Sequence, residues 1–186
     1  MVAARRTFEY RLYPFADQLP CLYHHLSELS FLWNYALGRR VDAWRKEHRT
    51  ETYLDQQNLL KAWRAFDSGG LGKLSFAVEM DALQRLDLAY RALFRRHGAG
   101  ERPGFPRFRS ARHPTTSFTF YPRRNPVDPG RGRTERLAVP RIGAIPIRIH
   151  RPLPADAVVK SVTVRQEGDQ WYVILSAELP DPPPPP

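Results

Sequence analysis

The hydrophobic periodicity changes twice along the chain, and this change constrains the fold more than any other feature. Near the start, RRTFEYRLYP alternates, with Phe8, Tyr10 and Leu12 on one side, which is typical of a half-buried strand. From about Ala16, apolar side chains recur at three- and four-residue steps for about eighty residues, which predicts helices. The period then returns to two. The chain is therefore predicted to be an α+β protein in which a helical segment interrupts a β-domain.

Four helices are predicted within the helical segment. The first two form a long antiparallel pair before residue 50, a third spans 52–66 and ends at DSGGLG, and a fourth starts at Ser75. Asn34 is expected to make a buried hydrogen bond between helices. The predicted apolar face of the first helical stretch comprises Leu22, Leu26, Leu29, Trp33, Ala36 or Leu37, Arg40 and Trp44. That of the fourth helix comprises Phe76, Met80, Leu83, Leu86, Tyr90, Leu93 and Phe94.

Five further strands are predicted after the helices. One strand before the helices and five after them favour a small antiparallel β-barrel with a helical bundle inserted after its first strand. The predicted organisation is a barrel from 1–14 plus 115–179, a helical domain over 15–100, a basic connecting loop over 101–114, and a proline-rich linker or tail over 180–186. The strands are placed at Phe118 and Phe120, at Leu137 and Val139, at Ile145 to Ile149, at Val162 and Val164, and from Trp171 to Ala177.

Positive charge is concentrated in the middle of the chain. The net charge is +10, but residues 91–151 hold fifteen arginines, no lysine and three acids, which gives +12 and leaves −2 for the remainder. Arginine pairs with phosphate and stacks on bases, so nucleic acid is the favoured partner, with a solvated face as the alternative. No apolar run or secretion signal is recognised, and the single cysteine, Cys21, gives no disulfide. A cytoplasmic protein with no membrane partner is predicted.

The stretch RPGFPRFRSARH, residues 102–113, combines rigidity with charge. Pro103 and Pro106 restrict the backbone to extended geometry. We expect Phe105 and Phe108 to hold this loop where helices and barrel meet, while three arginines reach a phosphate backbone. The alternative is a structural crossover with solvated arginines. The predicted phosphate-binding residues of the loop are Arg107, Arg109 and Arg112.

Other candidate contacts lie outside this loop. Gln84, Arg91 and Arg95 share one side of the fourth helix at helical spacing, where solvent exposure is the alternative. Arg123 and Arg124 follow a strand and are expected at a barrel rim, and a glycine-containing loop carries Arg131, Arg133 and Arg136. Tyr13 and Tyr121 are candidates for base stacking, whereas Phe120 and Trp171 are expected to pack in the core. Phe76, in the first turn of the fourth helix, completes the predicted nucleic-acid-binding set.

Six ordered segments resemble the amino-terminal half of the TnpB/OrfB family of insertion-sequence proteins, whose start is also described as a transposase helix-turn-helix. The resemblance implies a wedge domain similar to the oligonucleotide-binding fold, with a recognition lobe inserted after its first strand, and it implies guide RNA and target DNA as partners. The segments are FEYRLYP at 8–14, FLWNYALGRR at 31–40, LDLAYRALFRR at 86–96, PGFPRFRS at 103–110, LAVPRIGAIPIRIHRPLP at 137–154 and VKSVTVRQEGDQWYVIL at 159–175.

The same resemblance assigns cleavage to a RuvC-like domain that is not recognised in this sequence. In the family that domain carries acidic ligands for a divalent metal and a four-cysteine zinc motif, so magnesium and zinc are not expected here and no catalytic residue or cofactor is predicted. The first turn of the fourth helix departs from the family by placing Glu79 and Met80 near the expected target-flanking duplex. A carboxylate facing phosphates would be repelled, which argues against DNA contact there.

Three functions are compatible with these features. The first is guide-RNA and target-DNA recognition in a TnpB-like RNA-guided endonuclease, in a chain that is either truncated or paired with a separate nuclease domain. The second is a regulator that binds double-stranded DNA without RNA. The third is a structural remnant that folds poorly alone. The oligomeric state is not predicted.

Overall fold

The protein is α+β, as the periodicity predicts. The computed structural model describes residues 4–67, 69–128 and 135–179, and in these residues it has three α-helices and one seven-stranded antiparallel sheet. The helices are α1 (Leu19–Glu47), α2 (Tyr53–Phe66) and α3 (Phe76–Gly98), and a short 3₁₀ turn, Leu71–Lys73, precedes α3.

The predicted antiparallel pair before residue 50 is wrong, because α1 is one continuous helix of 29 residues. Pro20 occupies its first turn, where a missing N–H is tolerated, and no other proline follows within it. Gly38 is the one glycine inside α1, and a single glycine costs only about 1 kcal/mol relative to alanine. The sequence therefore contains nothing strong enough to turn the chain. Helix α2 begins at a capping box in which Thr52 and Asp55 each bond the other's backbone N–H.

The sheet has the order β2-β6-β7-β1-β5-β4-β3 with every pairing antiparallel. The amino-terminal strand gains its partners after the helices, as expected, because it pairs with β7 along nine residues and with β5 at two. Five predicted strands are confirmed as β2, β4, β5, β6 and β7, and the two-residue β3 is additional. The strands are β1 (Ala4–Leu12), β2 (Ser117–Phe120), β3 (Val127–Asp128), β4 (Glu135–Val139), β5 (Gly143–Arg148), β6 (Val158–Glu167) and β7 (Gln170–Leu179).

The predicted closure into a barrel is not observed. The two outermost strands are β2 and β3, and no pairing joins them in the described part of the chain. The strand β3 has two residues, and the described part of the chain stops at its end, at Asp128, before β4 begins at Glu135. Within the described residues the sheet is therefore open, where the periodicity alone favoured a barrel.

The chain divides into two compact units. The sheet unit contains the residues up to Tyr23 and those from Thr116 onward, and the helical unit is His24–Thr115. In the sheet unit, alternate residues of β1, β6 and β7 are buried, and Tyr23 packs edge-on against the buried Trp171 with ring centroids 5.5 Å apart. Phe120 and Trp171 are core residues, as predicted. Among the described residues no helix has the length and hydrophobicity that a bilayer span requires.

A buried polar network joins the three helices within the helical unit. Arg40 of α1 is 8% exposed, and its guanidinium donates to Gln56 of α2 at 3.0 Å and to Asp87 of α3 at 3.2 Å. Gln56 in turn donates to the backbone carbonyl of Ala36 at 2.7 Å. The periodicity places Arg40 on the apolar face of α1, and the network explains how a cation is accommodated there.

Candidate nucleic-acid interface

The arginine-rich loop, residues 102–113, is attached to α1 through its backbone. Trp33 Nε1 donates to the carbonyl of Arg107 at 2.9 Å. The Asn34 amide donates to the carbonyl of Arg109 at 2.9 Å and accepts from its N–H at 2.6 Å. Asn34 therefore bonds a loop rather than another helix, which corrects the expected interhelical bond. The loop has little regular structure, yet these bonds satisfy its backbone where it crosses α1.

Arg109 is held against α1 instead of extending freely into solvent. Its guanidinium carbon lies 4.5 Å from the centroid of the Trp33 ring, a cation–π contact. Burial, with a smaller effect from Arg85, lowers the pKa of Arg109 below its ordinary value. Its Nε is buried and has no hydrogen-bond partner among the described residues. Arg109 thus helps to hold the loop on α1.

Arg107 and Arg112 are exposed cations of this loop, as is Arg102 at its start. No ion pair to a carboxylate is described for Arg107 or Arg112 within the part of the chain that the structure covers. Phe105 and Phe108 are each about half exposed, and both contact helices of the same unit. The Phe105 ring packs edge-on against Tyr90 at 5.5 Å, and the Phe108 ring passes over Gly38 of α1. The two rings hold the loop on the helices and still present apolar surface to solvent.

The predicted side of α3 is only partly free. Gln84 and Arg95 are exposed, whereas Arg91 is bound by Asp87, with Nε and Oδ2 2.8 Å apart. Asp87 also binds Arg40, so one carboxylate serves two guanidinium groups. Phe76 is 36% exposed, and the Arg64 guanidinium lies over its ring at 5.6 Å. All three polar residues predicted on this side are exposed, and Arg91, whose side chain is 75% exposed, is the one with a described carboxylate partner.

Glu79 does not face a ligand, which corrects the expectation of a carboxylate repelling phosphates. It is fully buried and forms an ion pair with Arg64 of α2, and Arg64 also donates to the carbonyls of Leu71 and Leu74. Burial raises the pKa of Glu79 to about 7 although Arg64 opposes this. Its second carboxylate oxygen has no partner among the described residues. The apolar face of α3 is correspondingly rotated, and Val78 is buried in it.

Two aromatic residues assigned to apolar helical faces are exposed. Trp44 and Phe94 are 59% and 61% exposed. They line a cavity of about 560 Å³ in the helical unit, together with Phe105 of the arginine-rich loop and Arg45. The helical period identified Trp44 and Phe94 as apolar, but it could not show that they lie at the ends of α1 and α3, beyond the packed core.

The sheet unit carries the remaining candidates. Arg123 and Arg124 are exposed in a bend after β2. Tyr13 is 42% exposed, with the Arg11 guanidinium 5.2 Å from its ring centroid. Arg136 lies within β4 rather than in a loop, because it pairs with Pro146 of β5. Arg131 and Arg133 lie outside the described residues.

Sequence reasoning missed three residues that β-pairing places side by side. Arg11 of β1 is the register partner of Tyr172 in β7 and of Arg148 in β5. Alternation along each strand shows that Arg11 and Tyr172 occupy the polar face, but no local signal specifies which strands are neighbours. That these three residues are neighbours could be recognised only once the strand order was known.

No group of three metal-ligating side chains is found among the described residues. No protein-family model matches the chain. It is 29% identical over 187 aligned positions to a Streptomyces pristinaespiralis protein named "Putative RNA-guided DNA endonuclease", covering 96% of this chain and 42% of the relative. It is 26% identical over 174 positions to the Escherichia coli (strain K12) protein "Putative RNA-guided DNA endonuclease InsQ", covering 93% of this chain and 40% of that relative.

The chain thus spans about two fifths of the length of these curated relatives. The matches run through more than nine tenths of it. They confirm the predicted resemblance, because both similar proteins are named for RNA-guided DNA endonucleases.

Proposed function

We propose that this chain binds guide RNA and target DNA as the recognition part of a TnpB-like RNA-guided DNA endonuclease. Two kinds of observation support this proposal. The relatives are named for RNA-guided DNA endonucleases, and they match this chain along more than nine tenths of its length. The surface of the chain carries arginines that are not neutralised by carboxylates in the described residues, next to exposed aromatic rings.

The observation that carries the proposal is the attachment of the arginine-rich loop. Trp33 and Asn34 fix its backbone at three hydrogen bonds, and the side chains of Arg107 and Arg112 remain exposed. A phosphate ligand then restricts only the arginine side chains and not the loop itself, which reduces the entropic cost of binding. Contacts of this kind fix the position of a nucleic acid without reading its sequence.

We further propose that the open antiparallel sheet is the core of a wedge domain similar to the oligonucleotide-binding fold, and that recognition rather than cleavage is the role of these residues. The sheet unit contributes Arg123, Arg124 and Tyr13 to binding, and the helical unit contributes the loop, Gln84 and Arg95. Arg91 and Phe76 are assigned a secondary role because each already has an intramolecular partner.

The test measures binding by fluorescence anisotropy to a structured RNA copied from the end of the encoding element, to a matched DNA duplex, and to both together. If about six phosphates are neutralised, affinity for RNA falls with roughly the fourth to fifth power of salt concentration. Arg107→Ala/Arg112→Ala should lower that exponent by about 1.4 to 1.8. Lys46→Ala/Lys61→Ala removes two exposed cations from helices of the same unit and serves as the matched control.

Duplex binding that is unaffected by removing the RNA would favour the regulator that acts on DNA alone. If Arg107→Ala/Arg112→Ala leaves the salt exponent unchanged, the loop does not belong to the nucleic-acid interface.

A further inference from the structure

Two arginines face each other across neighbouring strands of the sheet unit. Arg11 of β1 and Arg148 of β5 are register partners in an antiparallel pair, so their Cα atoms are about 4.5 to 5.5 Å apart. Both are exposed, and no ion pair is described for either in residues 4–67, 69–128 and 135–179. Like charges placed directly opposite each other destabilise a sheet. Folding alone gives no reason for this pair.

The pair lies in an open groove with aromatic walls, which we call the sheet-face groove. The groove has a volume of about 560 Å³. Tyr13 is 42% exposed beside Arg11. Tyr172 of β7 is directly opposite Arg11 of β1 in the pairing of these two strands. The lining residues are Glu9, Tyr10, Arg11, Tyr13, Arg148, His150 and Tyr172.

The one carboxylate in the groove lining, Glu9, is already engaged. Its Oε1 accepts from Arg165 of β6 at 2.9 Å, and Arg165 also binds Glu167 at 3.2 Å. Glu9 therefore does not neutralise Arg11 or Arg148, and their two positive charges remain in the groove. An anionic ligand would relieve the repulsion between them.

We propose that the sheet-face groove binds unpaired nucleotides of a single-stranded nucleic acid, with a phosphate at Arg11 and Arg148 and bases against Tyr13 and Tyr172. Guanidinium groups pair with phosphate oxygens, and tyrosine rings stack on bases of any sequence. An acidic peptide would satisfy the charges but has no planar group to stack on the two tyrosine rings, beside which the Arg11 and Arg165 guanidinium groups lie 5.2 and 6.0 Å from the ring centroids. This inference rests on the proposed function and adds a second site, in the sheet unit, for unpaired strand rather than duplex.

The experiment uses the full chain and labelled 12-residue oligonucleotides of uridine, of deoxythymidine, and of the abasic sugar-phosphate backbone, with a blunt RNA duplex for comparison. Arg11→Gln/Arg148→Gln should lower the salt exponent for the single strands by about 0.7, the value for one neutralised phosphate. The same variant should raise the melting temperature by about 1 to 4 °C, because it removes the like-charge pair. A merely structural role for the arginines predicts a lower melting temperature and an unchanged exponent.

The aromatic walls are tested separately. Tyr13→Leu and Tyr172→Leu should each weaken binding of the base-containing strands about 5- to 150-fold with the salt exponent unchanged, and should leave binding of the abasic strand as it was. Arg6→Gln/Lys160→Gln is the matched charge control, because Arg6 lies on the opposite face of β1 from Arg11 and neither residue lines the groove. We expect this control to keep the wild-type salt exponent.

The outcomes separate this inference from the proposed function. If the groove variants lose more affinity for the uridine strand, RNA is the occupant, and if they lose more for the deoxythymidine strand, DNA is. Either result supports the groove. If the groove variants bind single strands like the wild type while Arg107→Ala/Arg112→Ala does not, the groove is refuted and the proposed function stands. Equal losses for duplex and single strands, or competition by an oligoglutamate as effective as by unlabelled oligonucleotide, also overturn it. A wild-type chain that binds none of the probes refutes both.

Discussion

Asn34 forms a two-way pair with the backbone of Arg109: its amide donates to the carbonyl at 2.9 Å and accepts from the N–H at 2.6 Å. This one side chain of α1 thereby supplies the arginine-rich loop with the hydrogen-bond donor and acceptor that a neighbouring strand supplies in a sheet. The loop is 75 residues away along the chain, and without this contact its backbone groups would depend on solvent.

Asn34→Ala should free this loop. It leaves both backbone groups of Arg109 without their partner, so we expect a loss of about 1 to 3 kcal/mol in the free energy of unfolding. Hydrogen exchange of the Arg109 amide should accelerate strongly. Asn125→Ala, which removes an exposed asparagine bonded to the Val127 amide, is the control and should cost less. An Arg109 amide that stays protected in Asn34→Ala would contradict this role.

Arg109→Lys should destabilise the protein although the charge is kept. The planar guanidinium stacks on Trp33, and a lysine ammonium is more strongly hydrated and stacks less well. The expected loss is about 0.5 to 2 kcal/mol, measured by urea unfolding. The same change at the exposed Arg107 should have almost no effect on stability. Equal effects at the two positions would show that the ring contact contributes nothing.

Glu79 should make stability decrease as pH rises. Burial raises its pKa in the folded state to about 7 from an ordinary value of 4.5, so between these values the native state holds a proton that the unfolded chain has released. The free energy of unfolding should therefore fall from about pH 4.5 to about pH 7, by at most about 3 kcal/mol from this group. Glu79→Gln cannot titrate, and the difference between it and the wild type isolates the contribution of Glu79. A difference that is constant across this range, or that changes in the opposite direction, would disprove the assignment.

Gly38→Ala should stabilise the protein. Gly38 lies inside α1, and a Cβ built there meets the Phe108 ring at 3.9 Å, an ordinary van der Waals contact. Alanine should therefore gain about 0.5 to 1 kcal/mol from helix propensity without displacing the loop. Thermal unfolding measures the gain. Gly38→Leu is the comparison, because its longer side chain must push Phe108 away; a gain as large as that of alanine would mean that Phe108 does not pack there.

The sequence by itself determined the α+β class, the position of nearly every strand and the resemblance to RNA-guided DNA endonucleases. The two-residue period of strands and the 3.6-residue period of helices can be read from residues close together in the sequence. The order of the motifs can also be compared with other proteins without knowing any tertiary contact. The concentration of arginines in residues 91–151, and the mixture of proline, phenylalanine and arginine in residues 102–113, could likewise be recognised from composition alone. The strand that begins the chain was correctly expected to find its partners beyond the helices.

Only the tertiary structure decided which of these charged and aromatic residues are free. Arg40 is buried in a network of three helices, Arg91 is bound by Asp87, Glu79 is enclosed with Arg64, and Arg109 lies on Trp33. Arg11 and Arg148 meet because β1 and β5 are neighbours in the sheet, although 137 positions separate these residues along the chain. Periodicity reports the face on which a side chain lies, but pairing energies and burial depend on residues that are distant in the chain, and no local pattern encodes them.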